Sequence, residues 1–306
     1  MINFVIPGFY ENFTLNTKLL ELLHTHPEIF REGIAVEAVY GVFPFNIFDG
    51  GRNFAEYSHA TIEEIKLIKH VFNDRYNISL RQVCTNPQLE EKNFHNRFAN
   101  ICLSVCENEN NEIIINNNDL KEYIQTYYPK YKFISSTTKR LNKVEDEINE
   151  INNDDYKIIC LDYDLNHHWK MLEQLTPEQK EKCEFLCNAI CPPGCLERKR
   201  HYYCNGQYAL NFGETYQMAE CGIQNTTVSN AVRSFKNNIT PDELYNKYAP
   251  MGFSHFKIEG RTLPTVEIAQ NYAYYMAKPE YHDELVLSLC NNLNDFKSKM
   301  FTQSFQ

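Results

Sequence analysis

Eight short apolar runs punctuate this chain, and a helix-like amphipathic stretch separates most neighbouring pairs. The runs are Ile2–Ile6, Gly33–Tyr40, Ile78–Cys84, Glu112–Ile115, Lys132–Ser135, Lys157–Leu161, Cys183–Cys187 and Ser254–Ile258. They are rich in Val, Ile and Phe and often apolar on both faces, the pattern of strands buried on both sides of a parallel sheet. Helical periodicity fills Asn16–Phe30, Thr61–Tyr76, Leu89–Val105, Asp119–Tyr128, Asn142–Asn152, His167–Leu175 and Thr265–Met276. Within Thr61–Tyr76 the opening T-I-E-E reads as a capping box, followed by Ile62, Ile65, Ile68 and Phe72 on one face. Eight strands alternating with helices predict an α/β fold, a (β/α)8 TIM-type barrel rather than an open doubly wound sheet. A length of 306 residues suits one such domain spanning 1–306. One connection breaks the rhythm. Residues 189–252, between the seventh and eighth strands, form a Cys-containing insertion with only a short helix expected near Pro241–Tyr248. Long βα loops of a barrel lie on its catalytic face.

That insertion begins N-A-I-C-P-P-G-C-L-E-R-K-R-H-Y-Y-C, from Asn188 to Cys204. Cys191 and Cys195 are separated by Pro-Pro-Gly, Cys204 follows closely, and Cys221 lies further along. Thiolates on a tight loop at a strand end suit a soft metal or an iron–sulfur cluster. Arg198, Lys199, Arg200 and His201 place positive charge beside them, which favours thiolates and attracts anions. Arg198 and His201, three apart, share a face if a short helix begins after Gly194; Lys199 then faces solvent. The other cysteines read differently. Cys84, Cys102, Cys106, Cys160, Cys183 and Cys187 fall in strands or on an apolar helix face, where a thiol is a small buried hydrophobe. Cys187 is held as a reserve ligand to Cys204.

Formal net charge is −10, which argues against a purely electrostatic grip on nucleic acid. No run of about 18 apolar residues predicts a membrane span. M-I-N-F-V-I-P-G has no basic region and no long apolar core, so it does not read as a signal peptide, and a cytoplasmic, reduced setting is expected. The 11 cysteines then mean free thiols and metal ligands rather than disulfides.

In a barrel, residues just after each strand line the active-site mouth. Here they are polar: D-G-G-R ending at Arg52 after strand two, S-S-T-T-K ending at Lys139 after strand five, D-Y-D-L-N after strand six, Asn188 after strand seven, and K-I-E-G-R at strand eight. Asp162 and Asp164 alternate along what reads as an extended segment and so point the same way, as a general base and its partner or as hard-cation ligands. The alternative is a pair of helix-capping acids. Lys257, Glu259 and Arg261 share a face, as a structural ion-pair layer or an anion site for a carboxylate or phosphate, with Glu259 holding Arg261 in place. Neither a nucleophile elbow nor H-E-x-x-H occurs, and there is no G-x-G-x-x-G, P-loop or C-x3-C-x2-C pattern.

The strand-end segments resemble the collagenase-like peptidase family U-32. The pieces that carry the likeness are Y-G-V-F-P…D-G-G-R, T-N-P, N-N-N-D-L-K-E-Y, I-S-S-T-T-K, L-D-Y-D-L-N, N-A-I-C-P-P-G-C-x-x-R-x-x-H-Y and F-K-I-E-G-R. The resemblance implies a TIM-type barrel. For several members, the RNA- and ubiquinone-hydroxylation proteins, it implies a 4Fe-4S cluster on four cysteines and O2-independent hydroxylation with prephenate as oxygen source. Cys191 and Cys195 are closer together than is typical of the family. Carried over, Cys191, Cys195, Cys204 and Cys221 would hold the cluster. Asp162, Asp164, Asn188 and Glu259 would do the chemistry, and Arg52, Lys139, Arg198, His201, Lys257 and Arg261 would bind substrate. That substrate would be an RNA base, an aromatic ring or a peptide. Two other readings stand beside this one: a peptidase or peptide-modifying enzyme, and a non-catalytic barrel with a structural four-cysteine zinc. Assembly as a homo- or hetero-oligomer stays open.

Overall fold

The computed structural model describes residues 1–51, 59–211, 235–291 and 293. Eight parallel strands close a barrel in sequence order: β1 (Ile2–Pro7), β2 (Ile34–Gly41), β3 (Ser79–Cys84), β4 (Glu112–Ile115), β5 (Lys132–Ser135), β6 (Ile158–Cys160), β7 (Cys183–Leu186) and β8 (His255–Lys257). β1 pairs with β8 through Asn3–His255, Phe4–Phe256 and Val5–Lys257, which closes the ring. All eight apolar runs became strands, because each is buried on both faces in this architecture.

The helices differ more from the sequence reading. Thr61 and Glu64 form the expected capping box at the start of Ile62–Lys69. The first helix runs Phe13–Thr25 and stops before Pro27, since the residue preceding a proline is pushed out of helical geometry. The single helix expected over Leu89–Val105 is two, Glu91–Phe94 and Arg97–Cys106. The Asn96 side chain accepts from the Ala99 N–H and starts the second one afresh.

The main core lies between strands and helices. Cys84, Cys102, Cys106, Cys183 and Cys187 are buried there as free thiols, while Cys160 is buried beside Glu184 of the barrel interior. Burial pushes the Cys106 and Cys160 thiols up to about 12. Two layers fill the barrel interior. One is apolar: Val5, Ala38, Tyr40, Val83, Ile114, Ile134 and Ile158. The other is ionic. Arg81, 1% exposed, pairs through Nε with Glu112, through Nη1 with Glu184 and through Nη2 with Glu37. Burial alone would lower the Arg81 pKa, but the three carboxylates raise it instead. No helix among the described residues is long and apolar enough to cross a membrane.

Candidate active site

At the carboxyl ends of the strands a pocket with about 640 Å3 of empty space opens into the barrel mouth. Its apolar lining is Val83, Ile114 and Leu186, and its polar lining comes from several strand ends. β8 contributes most. Lys257 is its last residue, and Glu259 and Arg261 follow at alternate positions; all three line the pocket. The Lys257 ammonium lies 4.2 Å from the Tyr40 ring centroid and 3.6 Å from Glu184 Oε1. Buried Asn188 pins the Glu259 backbone. Its Nδ2 donates to the Glu259 carbonyl at 3.0 Å, and its Oδ1 accepts the Glu259 N–H at 2.7 Å. The Glu259 carboxylate accepts the Ile190 N–H at 2.9 Å. Arg261 is anchored by Asp49, its Nη2 lying 3.1 and 3.2 Å from the two carboxylate oxygens. Burial alone would lower the Arg261 pKa; Asp49 and Glu11 raise it.

The opposite wall is built around Arg198, the first residue of the helix Arg198–Leu210. Its guanidinium is fully buried, and each of its three nitrogens donates to a protein acceptor. Nη1 donates to both Asp162 oxygens at 2.9 and 3.0 Å. Nη2 donates to the Thr137 carbonyl and hydroxyl at 3.1 and 2.9 Å, and Nε to the Tyr202 hydroxyl at 3.0 Å. Its carbon lies 3.5 Å from the Tyr163 ring centroid. Thr137, Tyr163 and Tyr202 line the pocket, so Arg198 holds a wall of it together.

The C-P-P-G-C segment folds as a turn. Gly194 has φ +65°, and the Cys195 N–H donates to the Pro192 carbonyl at 3.3 Å. Proline followed by glycine at the two central positions is the signature of a type II turn. The Gly194 N–H also donates to Asp164 Oδ1 at 3.1 Å, tying the turn to the β6 loop. Cys191, just before the turn, lines the pocket.

Several expectations need correcting. Asp162 and Asp164 are not on an extended segment: Asp162 caps a 3-10 turn over Tyr163–Leu165, its Oδ1 accepting the Asp164 N–H at 3.0 Å. Neither acid lines the pocket. Asp49, not Glu259, holds Arg261. Each nitrogen of Arg198 already donates to Asp162, Thr137 or Tyr202, and Arg198 is not itself in the pocket lining. Lys139 turns to Glu150 and the Tyr156 hydroxyl, outside the pocket lining. The helix expected after Gly194 begins at Arg198, and His201 on it is half-buried and outside the lining, while Lys199 and Arg200 are exposed. Arg52 and Cys221 lie outside the described residues. Residues that sequence reasoning passed over are Asp49, Tyr40, Thr85, Tyr202 and Arg140. Arg140, at φ 60°, donates from Nη1 to the Cys195 carbonyl at 2.7 Å. Asp49 had a signal, the acid before the Gly-Gly of D-G-G-R.

Cys191, Cys195 and Cys204 are half-buried. Among the described residues no three His, Cys, Asp or Glu side chains gather as ligands for one metal ion. Of the four predicted ligands, Cys191, Cys195 and Cys204 are described and Cys221 is not, so the described residues hold no complete four-cysteine set. Cys187, the reserve ligand, is fully buried with its thiol donating to the Phe185 carbonyl at 3.7 Å.

Fold and pocket together define a (β/α)8 barrel with a candidate active site on the face where such barrels carry their chemistry. The chain is similar in structure to the U32 peptidase Mk0906, with a TM-score of 0.46 and 11% sequence identity over 86% of this chain and 94% of that one. No protein-family model matches the chain, and no curated protein matches it.

Proposed function

We propose that this chain is an enzyme of the U-32 peptidase-like kind whose reaction centre is the barrel-mouth pocket. The observation that carries the reading is the convergence of Lys257, Glu259 and Arg261 from one strand end on a pocket lined by apolar, hydroxyl and aromatic groups from other strand ends. Glu259 is the proton acceptor, held in place through its backbone by Asn188. The Lys257 ammonium faces the same space and stabilises negative charge that develops there. Ser136, Thr137 and Thr138 supply hydroxyls that orient the substrate. The test is a small-molecule screen by thermal shift against the wild-type chain and Glu259→Gln. Turnover of a hit that Glu259→Gln abolishes, with binding retained, supports the reading. Hits that bind and turn over equally in both would overturn it.

The finer reading, O2-independent hydroxylation of an RNA base, aromatic ring or peptide with prephenate as co-substrate, is supported by the motif likeness and by the position of Cys191 in the pocket. A 4Fe-4S cluster would supply redox or Lewis-acid chemistry there. Metal and sulfide analysis after anaerobic purification tests it. Brown protein with iron and labile sulfide, both lost in Cys191→Ser, supports it. Colourless protein with stoichiometric zinc moves the four cysteines to a structural role.

A further inference from the structure

Two polar groups of the mouth pocket are buried without a hydrogen-bond partner. Arg261 is 6% exposed, and its Nη1 bonds nothing, since the link to Asp49 runs through Nη2. Thr85 is 1% exposed, and its Oγ1 bonds nothing either. Both line the pocket. Both side chains flank Gly51: a Cβ built there would lie 3.4 Å from Arg261 Nη2, 3.8 Å from Thr85 Oγ1 and 3.9 Å from Asp49 Oδ1. The missing side chain of Gly51 leaves the space between them open. Buried donors are ordinarily satisfied, and groups left over in a cleft mark where a ligand completes the set.

We propose that Arg261 Nη1 and Thr85 Oγ1 form a carboxylate subsite that takes the head group of a small monocarboxylate, its apolar body lying over Val83, Ile114 and Leu186. This rests on the reading of the mouth pocket as the substrate site. Nη1 carries two N–H donors and the threonine hydroxyl one, a set that matches the two oxygens of a carboxylate. Charge selects the monoanion. Against the two cations, Arg261 and Lys257, stand Asp49, Glu184 and Glu259, so the pocket has no surplus of positive charge for a phosphate dianion. The neighbouring apolar floor excludes sugars and polyphosphates, whose polar groups it would leave unpaired.

The test uses one apolar body with three head groups: benzoate, benzamide and phenyl phosphate, titrated calorimetrically into the full chain. Benzoate is expected to bind at least about tenfold tighter than the other two, because a hydrogen bond to a charged group is being gained. Thr85→Val, which leaves the Asp49–Arg261 pair intact, should weaken benzoate several-fold and benzamide little. Gly51→Ala should weaken benzoate, and Arg261→Gln should abolish its advantage. Equal binding of benzoate and benzamide, or unchanged benzoate affinity in Thr85→Val, overturns the subsite while leaving the mouth pocket as the binding site. Failure of all three compounds to bind the wild-type chain overturns both.

Discussion

Asn188 and Glu259, 71 residues apart, exchange two hydrogen bonds between the Asn188 side chain and the Glu259 backbone, at 3.0 and 2.7 Å. The pairing joins the end of β7 to the end of β8 and sets where the Glu259 carboxylate stands. Asn188→Ala leaves a backbone N–H and a carbonyl without partners and is expected to reduce stability by about 1–3 kcal/mol. Asn188→Asp keeps the acceptor but turns the donor into a buried carboxylate oxygen facing the Glu259 carbonyl, and should cost more than Asn188→Ala at neutral pH. Urea unfolding of the three proteins checks the order.

Arg198 and Asp162 form a buried pair whose loss leaves the Asp162 carboxylate with only the more distant Arg140, at 3.9 Å, for a counter-charge. Arg198→Gln should therefore lower stability by about 3–5 kcal/mol. Arg198→Lys should recover little of this, since an ammonium cannot serve Asp162, Thr137 and Tyr202 together. Chemical denaturation reads both. A near-neutral effect of either variant would show that the pocket wall stands without Arg198.

Glu147 gives the protein a defined pH response. It is 1% exposed on the helix Val144–Ile151, and its carboxylate accepts the Asp162 N–H at 3.5 Å. Burial, assisted by the Asp162 charge, pushes its pKa up to about 8. The folded state thus holds a proton that the unfolded chain releases near the ordinary glutamate value. That stabilisation is full below about pH 4.5 and is lost as pH rises through about 8. The melting temperature of the wild-type chain should fall across this window relative to Glu147→Gln, and parallel thermal melts would show it. Identical pH profiles would mean that Glu147 titrates normally.

Gly194 occupies the left-handed region at φ +65°. A side chain there costs about 1–2 kcal/mol, so Gly194→Ala should loosen the turn between Cys191 and Cys195. Faster alkylation of Cys191 in the variant, timed by mass spectrometry, is the expected result.

The barrel was legible because strands buried on both faces write themselves as short apolar runs. Of the site, the K-I-E-G-R face was legible for a similar reason: alternation along an extended segment puts Lys257, Glu259 and Arg261 on one side. What holds Arg261 was not, since Asp49 is 212 residues away and Glu259 stands two positions before it. Asp162 and Asp164 misled because D-Y-D-L fits an extended pair and a turn equally well. The turn wins here through the bond from the Asp164 N–H to Asp162 Oδ1. Arg198 carried the right charge at the right place, but only tertiary structure shows that each of its nitrogens is already engaged.

The ionic layer bears on how far this barrel can be divided. Arg81 on β3 reaches Glu37 on β2, Glu112 on β4 and Glu184 on β7. A cut between β4 and β5 would leave the arginine with two of its acids in one fragment and Glu184, with Lys257, in the other. The first half-barrel then carries two carboxylates against one guanidinium while the second keeps Glu184 with Lys257, so the two halves are not interchangeable modules, and fragment complementation would depend on rejoining this one guanidinium to its distant carboxylate.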